Sequence, residues 1–353
     1  MVGHTGHMAG DLPGGGAPDS VRDGTGTGGE AALLARMLPH LGSGPMVEVG
    51  PGDDAAVVRL PSPRLVVTTD TLVEGHDFLL HATTPRWIGH KAAVQNLADV
   101  AAMGARPSAL VVAVSAPAST APSVFEELTI GLSARAEADG AHVVGGDLGR
   151  AEQLSLTVTA MGALEEGQAP MLRSGARPGD ELAVGAPQLG RSAAGLALVL
   201  AGRARLEGER VVLDGIDAPG AAELVRWHDA PEPDLSLGWT VGRDAHAMMD
   251  LSDGLVRDGG RLAAASDVTV DLDGEALRGD VSALAPLATE LGEDPWQWVL
   301  HGGEEHAMLA AFAPGEVPVG FRAIGRIRRP TTAGPRVLLD GAPIAGEGFD
   351  HFR

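Results

Sequence analysis

The sequence predicts a two-domain protein of the α/β or α+β class. The chain has 353 residues, a length that suits two domains of ordinary size, and 44% of them are hydrophobic, which is ample for a core. Short apolar runs rich in Val, Leu and Thr alternate with longer segments of helical apolar spacing in both halves of the chain. This alternation indicates sheets packed against helices.

In the first half, Pro and Gly residues mark the ends of the predicted elements. The predicted helices are residues 30–40, 85–105 and 122–140. Strands are predicted near residues 55–60, at 64–70 with Asp70 as the last residue, at 108–117 and at 154–164. A further short strand within 141–149 is predicted to run into a Gly-rich turn that contains Asp147.

In the second half, the same signals place a turn and a strand within residues 173–185. The predicted helices are residues 190–202, 250–267, 280–292 and 294–303, and the predicted strands are residues 268–273, 304–312 and 321–330. Residues 203–240 follow no clear period, so no element is predicted there.

Composition excludes several classes of function. The formal net charge of -21 disfavours nucleic acid and anionic membranes as partners, because both are bound through basic residues. The absence of Cys excludes disulfides, zinc–thiolate sites and thiol nucleophiles. No apolar run is long enough to cross a bilayer, and residues 1–28 have the Gly-, Pro- and Asp-rich composition of a disordered leader. We therefore predict a cytoplasmic protein.

The only lysine excludes one common nucleotide-binding device. Lys91 lies in "GHKAAV", and the other 25 basic residues are arginines. A P-loop requires Gly-Lys-Ser/Thr directly after a strand, which this chain does not contain. Any phosphate must therefore be bound in another way.

Acidic residues end or interrupt several apolar elements, where a carboxylate is seldom buried without a partner. They are Asp53, Asp54, Asp70, Asp99, Asp147, Asp250 and Asp253. Each alone has an ordinary explanation: Asp54 and Asp253 could be helix caps, Asp99 the polar edge of a helix, and Asp147 part of an exposed turn. On a helix, Asp250 and Asp253 would share a face and repel each other. Together the acids favour Mg²⁺, which prefers oxygen ligands.

A metal site would also reconcile a chain of net charge -21 with a phosphorylated substrate, because bound cations reverse the local field. The Gly-rich segments "GGD" and "RSGARPGD" offer backbone N–H groups to a phosphate. Within the second segment, Arg173 could bind phosphate oxygens in a bidentate manner or be a surface cation in a turn.

The order of these motifs resembles that of the bacterial thiamine-monophosphate kinases, within the superfamily of aminoimidazole-ribonucleotide synthetase. The resemblance covers residues from about 30 to 353 and is carried by "GDDAAVV", "TTDTLVEG", "KAAVQNLADVAAMGA", "VVGGD", "RSGARPGD", "MDLSDGL", "HGGEEH" and "GFDHF". It implies the two-domain fold of that superfamily, with residues 29–162 as the N-terminal ATP- and metal-binding domain and residues 163–353 as the C-terminal domain. It also implies a homodimer in which the N-terminal sheets pair into a barrel.

The resemblance implies transfer of the γ-phosphoryl group of ATP to thiamine monophosphate, directly and in line, with Mg²⁺ as cofactor. The metal ligands implied are Asp54, Thr68, Thr69, Asp70, Asp99, Asp147, Asp250 and Asp253. The ATP-binding residues implied are Gly146, Asp147, Arg173 and Ser252, of which Asp147 and Arg173, together with Asp253, are the catalytic group. Substrate contacts are implied for Asp77, Glu304 and Phe349, with Asp77 standing where the family usually has His and His76 one position earlier.

Two alternatives stay open from the sequence. The chain could be a related ATP-dependent kinase or synthetase of the same superfamily that acts on another small substrate. The second alternative is a dimeric module that binds nucleotide without catalysis. The complete set of acidic residues argues against it.

Overall fold

The computed structural model describes residues 29–51, 55–330 and 336–344. These residues form a mixed α/β structure with one four-stranded and one seven-stranded sheet, which confirms the predicted fold class. The leader at residues 1–28, Asp53, Asp54 and Phe349 lie outside the described residues. No described helix is long and apolar enough to cross a membrane.

The four-stranded sheet comes from the first half of the chain, in the order β3-β6-β4-β5. Its strands are antiparallel except for β4 and β5, which are parallel. The helices of this half are α1 (Gly29–Met37), α2 (Pro85–Ala102) and α3 (Pro122–Ala138), and its strands are β1 (Val47–Val49), β2 (Val57–Val58), β3 (Leu65–Val73), β4 (Arg106–Ala116), β5 (His142–Arg150) and β6 (Ser155–Ala163).

Helices α2 and α3 cross so closely that glycine is required at the contact. A Cβ atom on Gly89 would lie 2.1 Å from the backbone oxygen of Leu128, and one on Gly131 would lie 1.8 Å from the backbone oxygen of Arg86. Real Cβ atoms do not approach so near, so these two glycines set the distance between the helices. Thr84 begins α2, because its side chain accepts a hydrogen bond from the backbone N–H of Trp87.

The seven-stranded sheet comes from the second half, in the order β10-β12-β7-β13-β11-β14-β15. The helices of this half are α4 (Arg191–Leu200), α5 (Ala221–Asp229), α6 (Ser236–Trp239), α7 (Leu255–Ser266), α8 (Gly274–Leu291) and α9 (Pro295–His301). Its strands are β7 (Glu181–Val184), β8 (Ala204–Glu207), β9 (Arg210–Leu213), β10 (Ala247–Asp250), β11 (Thr269–Leu272), β12 (Met308–Phe312), β13 (Arg322–Arg328), β14 (Arg336–Leu339) and β15 (Ala342–Pro343).

The two halves share a hydrophobic core. Leu97 of α2 and Leu156 of β6 belong to the same buried cluster as Met248 of β10 and Phe312 of β12. Burial of about 1.5 to 3 kcal/mol per large side chain therefore links the halves as well as stabilising each one. Because α2 also contacts β10, the C-terminal end of β10 is held against α2.

Several predicted element boundaries are wrong, and three of them affect the placement of candidate site residues. Strand β3 continues past Asp70 to Val73, and β5 continues through the Gly-Gly-Asp segment, so Asp147 lies within a strand rather than in a turn. The predicted helix over 250–267 is a strand end, a loop and then α7, since Gly254 has φ 106 and a helix cannot pass through that conformation. Asp250 and Asp253 therefore do not share a helical turn.

The segment 203–240, in which no element was predicted, contains the β8–β9 hairpin and helices α5 and α6. Helix α5 is short and preceded by Gly220, and its buried positions include charged and polar side chains such as His228 and Asp229. With 9 residues, α5 is shorter than the window over which an apolar period can be read, which explains why the periodicity did not reveal it.

Candidate active site

Three carboxylates from three separate elements meet where the two halves join. Asp70 lies in β3, Asp99 in α2 and Asp250 at the end of β10. Burial, followed by the charge of Asp250, raises the pKa of Asp99 to about 7. Burial and then Asp250 also raise the pKa of Asp70. Such mutual effects require the carboxylates to be near one another in a poorly solvated place.

Hydrogen bonds fix β3 against α2 at this point. The hydroxyl of Thr68 donates to Oδ2 of Asp99 at 2.8 Å, and the backbone N–H of Asp70 donates to Oδ1 of Asn96 at 3.0 Å. The buried Asn96 in turn donates to the backbone oxygen of Ala92 at 2.9 Å. The strand period puts Thr68 and Asp70 on one face, and the helical i, i+3 spacing puts Asn96 and Asp99 on the facing side.

A cavity of about 610 Å³ opens beside these carboxylates. Its lining includes Thr68, Asp99, Asp250 and Arg173, together with apolar side chains of β3, α2 and β10. The loop of Arg173 is held by Ser266, whose hydroxyl donates to the backbone oxygen of Arg173 at 3.0 Å. The site therefore offers acidic oxygens and the guanidinium groups of Arg64 and Arg173 around a space large enough for a ligand of nucleotide size.

Asp253 is held by groups that the sequence reasoning missed. The carboxylate of Asp258, which is fully buried, accepts the backbone N–H groups of Ser252 at 3.0 Å and Asp253 at 2.8 Å. Arg261 lies with Nη1 2.8 Å from Asp258 and Nη2 2.6 Å from Asp253. Burial raises the pKa of Asp258 to about 6. Because a helix was predicted to begin at residue 250, Asp258 looked like an ordinary helical acid.

Glu304 belongs to a second polar cluster at the junction of the halves. Its Oε1 lies 2.7 Å from Nζ of Lys91, and its Oε2 lies 3.2 Å from Nδ1 of His228. Burial raises the pKa of Glu304, but Lys91 and His228 more than offset that effect, so the pKa is lowered. The backbone N–H of Glu304 donates to the oxygen of Ser252 at 2.7 Å, which connects this cluster to the Asp253 loop.

In the loop that precedes α2, the side chain of Asp77 contacts the protein. Oδ2 of Asp77 accepts the backbone N–H of Val73 at 2.8 Å, and the backbone oxygen of Asp77 lies 3.4 Å from Nζ of Lys91. His76 is exposed. The Asp77 carboxylate thus caps its own turn, and the loop reaches Glu304 through Lys91.

Two predicted ligands lie on the other face of the four-stranded sheet. Asp70 and Gly146 stand in one row across the sheet, in register through β6 and β4. Successive residues of a strand point to opposite faces, so Thr69 and Asp147 project away from the face that carries Asp70. Both are exposed. The structure therefore brings Thr68, Asp70, Asp99 and Asp250 together, with Asp253 close by, and leaves Thr69 and Asp147 apart from them.

Comparisons with known proteins show the family to which the chain belongs. Residues 52–164 match the family model described as AIR synthase related protein, N-terminal domain. Thiamine-monophosphate kinase from Mycobacterium tuberculosis (strain H37Rv) is 45% identical over 320 residues, which cover 90% of each chain. The chain belongs to the thiamine-monophosphate kinase family.

Solved structures of thiamine-monophosphate kinases have the same fold. The crystal structure from Stenotrophomonas maltophilia K279a is 31% identical, covers 89% of this chain and 96% of its own, and superposes with a TM-score of 0.72. The structure of AaThiL complexed with AMPPCP and TMP is 29% identical, covers 93% of this chain and 97% of its own, and has a TM-score of 0.72. This member of the thiamine-monophosphate kinase family therefore has the superfamily fold that its motifs predict.

The donors of the kinase cleft fit magnesium in their chemistry. Among residues 29–51, 55–330 and 336–344, no three or more His, Cys, Asp or Glu side chains form a ready-made metal cage. Mg²⁺ does not need one, because it is commonly held by one or two carboxylates, water and substrate phosphates. The raised pKa of Asp99 supports the fit, because burial is its largest cause and the charge of Asp250 the next, and a cation beside Asp99 and Asp250 would offset both.

Proposed function

We propose that this chain transfers the γ-phosphoryl group of ATP to thiamine monophosphate and so makes thiamine diphosphate and ADP. The observation that carries the proposal is the meeting of Asp70, Asp99 and Asp250 beside a cavity of about 610 Å³ that Arg173 also lines. The 45% identity to a thiamine-monophosphate kinase along most of the chain supports the choice of substrate.

In this proposal, the phosphates of ATP are bound by an arginine, a loop and a Gly-rich strand. Arg173 binds phosphate oxygens of ATP, because its guanidinium lines the cavity and suits a bidentate contact. Ser252 contributes from the loop that Asp258 holds through two backbone hydrogen bonds. Gly146 acts on ATP from β5, since it lies in the same row of the sheet as Asp70.

Mg²⁺ is proposed to be held by Thr68, Asp70, Asp99 and Asp250. Asp253, on the adjacent loop, is a further proposed ligand. When bound, magnesium supplies the positive charge that lets two phosphorylated substrates approach an acidic site. Asp54 is a further proposed ligand. The protein groups position the phosphates in line and exclude competing geometries, which is most of what phosphoryl transfer requires.

Glu304, Asp77 and Phe349 are proposed to bind the thiamine part of the substrate. Glu304 is the best supported of them, since its carboxylate is partly exposed at the junction of the halves and its backbone is tied to Ser252. This connection links the acceptor end of the site to the Asp253 loop. Catalysis is thus assigned to Asp253 and Arg173, since Arg173 lines the cavity and Asp253 lies on the loop beside it.

The proposal includes a homodimer formed through the four-stranded sheets. β3 is an edge strand, and its outer face exposes Leu65 at 47% and Val67 at 58%. Exposed apolar residues on an edge strand are a common site of strand pairing. A second copy would cover this face together with Thr69 and Asp147.

The division into residues 29–162 and 163–353 is kept as part of the proposal. Every described strand of the four-stranded sheet ends before residue 164, and every described strand of the seven-stranded sheet begins after residue 180. The need for ATP favours a cytoplasmic location.

A coupled assay of ADP release tests the proposal. Purified protein with Mg²⁺ and ATP should release ADP when thiamine monophosphate is added, and much less with unphosphorylated thiamine or with ATP alone. ADP release that does not depend on thiamine monophosphate would favour the alternative, a related kinase or synthetase with another small substrate.

A further inference from the structure

The only lysine of the chain is buried and is not part of the phosphate-binding apparatus described above. The Lys91 side chain is 3% exposed and lies on α2, about two helical turns before Asp99 at the phosphate end of the cleft. Its Nζ lies 2.7 Å from Oε1 of Glu304 and 3.4 Å from the backbone oxygen of Asp77. A lysine is rarely so buried without a specific partner.

We propose that Lys91 is a positioning residue that aims the Glu304 carboxylate into the cleft and thereby controls the binding of thiamine monophosphate. The inference rests on the proposed function, because Glu304 must contact that substrate for Lys91 to act through it. It goes beyond the proposed function in assigning a role to a side chain that touches neither substrate.

The geometry of Glu304 shows why it needs an external restraint. Its backbone has φ 60, a left-handed conformation that costs a non-glycine residue stability, and its neighbour His306 has φ 52. Its side chain is 31% exposed, so part of it is open to solvent while Lys91 and His228 contact its two oxygens. Lys91 on Oε1 and His228 on Oε2 hold both carboxylate oxygens from behind.

Of the two side chains that contact the Glu304 carboxylate, only Lys91 carries a charge. Burial and the nearby Lys91 lower the pKa of His228 to about 3, so its imidazole is neutral and brings no charge to Glu304, and its Nδ1 also lies 3.0 Å from Oγ of Ser192. Asp229 is also buried close to Lys91 and Glu304. Without Lys91, the Glu304 carboxylate would face a neutral imidazole and a second acid, and it would turn toward solvent or take up a proton.

Lys91 also joins two parts of the substrate end that are distant in sequence. Through the backbone oxygen of Asp77 it holds the loop before α2, and through Glu304 it holds the loop after α9. A side chain that sets both loops should affect the binding of the substrate between them more than the binding of ATP.

The test is a double-mutant cycle between Lys91→Met and Glu304→Gln, with KM measured for both substrates. Methionine keeps the length of the chain and removes the charge. Lys91→Met should raise KM for thiamine monophosphate at least about tenfold and change KM for ATP less than about twofold. In the Glu304→Gln background, the same substitution should have less than about a twofold effect, because residues that act through one another are not additive.

Arg86→Met is the matched control. Arg86 lies on the same helix, and its Nε is 2.7 Å from Oε2 of Glu127, an ion pair as short as that of Lys91. Its side chain is 42% exposed and away from the cleft, so both KM values should stay at those of the wild type. An unchanged KM in Lys91→Met, an equal rise of both KM values, or full additivity with Glu304→Gln would overturn the inference while wild-type turnover upholds the proposed function.

A measurement on the wild type keeps the inference testable if Lys91→Met fails to fold. Protein labelled with ¹⁵N-lysine has a single side-chain ammonium signal, because Lys91 is the only lysine. Thiamine monophosphate should shift this signal, and a non-hydrolysable ATP analogue with Mg²⁺ should leave it in place. A signal that thiamine monophosphate does not move would overturn the inference. Absence of thiamine-monophosphate turnover in the wild type would overturn the proposed function and this inference together.

Discussion

The hydroxyl of Thr68 donates a hydrogen bond of 2.8 Å to Oδ2 of Asp99, and this contact ties β3 to α2 at the cleft. The same Asp99 carboxylate is buried and repelled by Asp250, which raises its pKa to about 7. One hydrogen bond thus fixes the position of an acid whose protonated form is favoured in the folded protein. A site with these properties is stable at low pH or when a cation is bound.

Asp99→Asn should change the pH dependence of stability. Between about pH 4 and pH 7 the folded protein keeps the Asp99 proton while the unfolded chain releases it, so the free energy of unfolding falls as pH rises through this window. Asparagine cannot ionise and still accepts from Thr68. At pH 8, without metal, the variant should therefore be more stable than wild type, by an amount on the order of 1 to 3 kcal/mol. Urea unfolding at several pH values measures the difference, and equal slopes against pH in both proteins would contradict it.

Asp253→Asn should separate ligand binding from folding. The substitution loses an ion pair with Arg261, whose side chain is 36% exposed, so the ligand-free protein should lose no more than about 1 kcal/mol. The thermal shift from Mg²⁺–ATP should largely disappear, and kcat should fall at least about a hundredfold. The control is Asp273→Asn, which neutralises the N-cap of α8, where asparagine caps equally well. Near-normal turnover in Asp253→Asn would show that this acid only organises the loop.

Gly131→Ala should weaken the packing of α2 on α3. The added Cβ would lie 1.8 Å from the backbone oxygen of Arg86, so the helices must move apart, at a cost of about 1 to 3 kcal/mol or more. Gly279→Ala is the matched control, because it is exposed in α8 with no atom within 4 Å of the new Cβ, and should stabilise by about 0.5 to 1 kcal/mol. Chemical denaturation measures both. A neutral Gly131→Ala would mean that the contact is looser than the structure indicates.

Val67→Glu should dissociate the proposed homodimer. Val67 is 58% exposed on the outer face of β3, where a second copy would bury it, and a carboxylate there would be desolvated without a partner. Val319→Glu is the control, since Val319 is 96% exposed in the loop before β13. Light scattering coupled to size exclusion should give a dimer for wild type and Val319→Glu and a monomer for Val67→Glu. A dimer in all three would move the interface away from this face.

The fold and part of the site follow from sequence patterns. Helix α2 was predicted from its apolar spacing, and that spacing also placed Asn96 and Asp99 on one stripe, as the structure has them. Such local periodicity carries information about neighbours in the chain. The loop between Asp250 and Asp253 was taken for a helix because local pattern does not reveal the positive φ of Gly254.

Contacts between distant segments had no signal in the sequence. The ion pair of Lys91 with Glu304 joins two segments that only the folded topology brings together, and the backbone contacts of Asp258 depend on where α7 begins. Strand register likewise decides that Asp70 and Asp147 occupy opposite faces of one sheet. Motif order predicted the candidate site residues, but not which of them meet within one chain.

The most direct test of the account is to follow the γ-phosphate itself. Protein, Mg²⁺ and ATP labelled at the γ position are mixed with thiamine monophosphate, quenched over time and separated. The account predicts that label appears in the terminal phosphate of thiamine diphosphate at the rate at which ADP forms, and that removal of Mg²⁺ by a chelator stops both. Label that appears only in inorganic phosphate, or ADP formation without thiamine diphosphate, would contradict it.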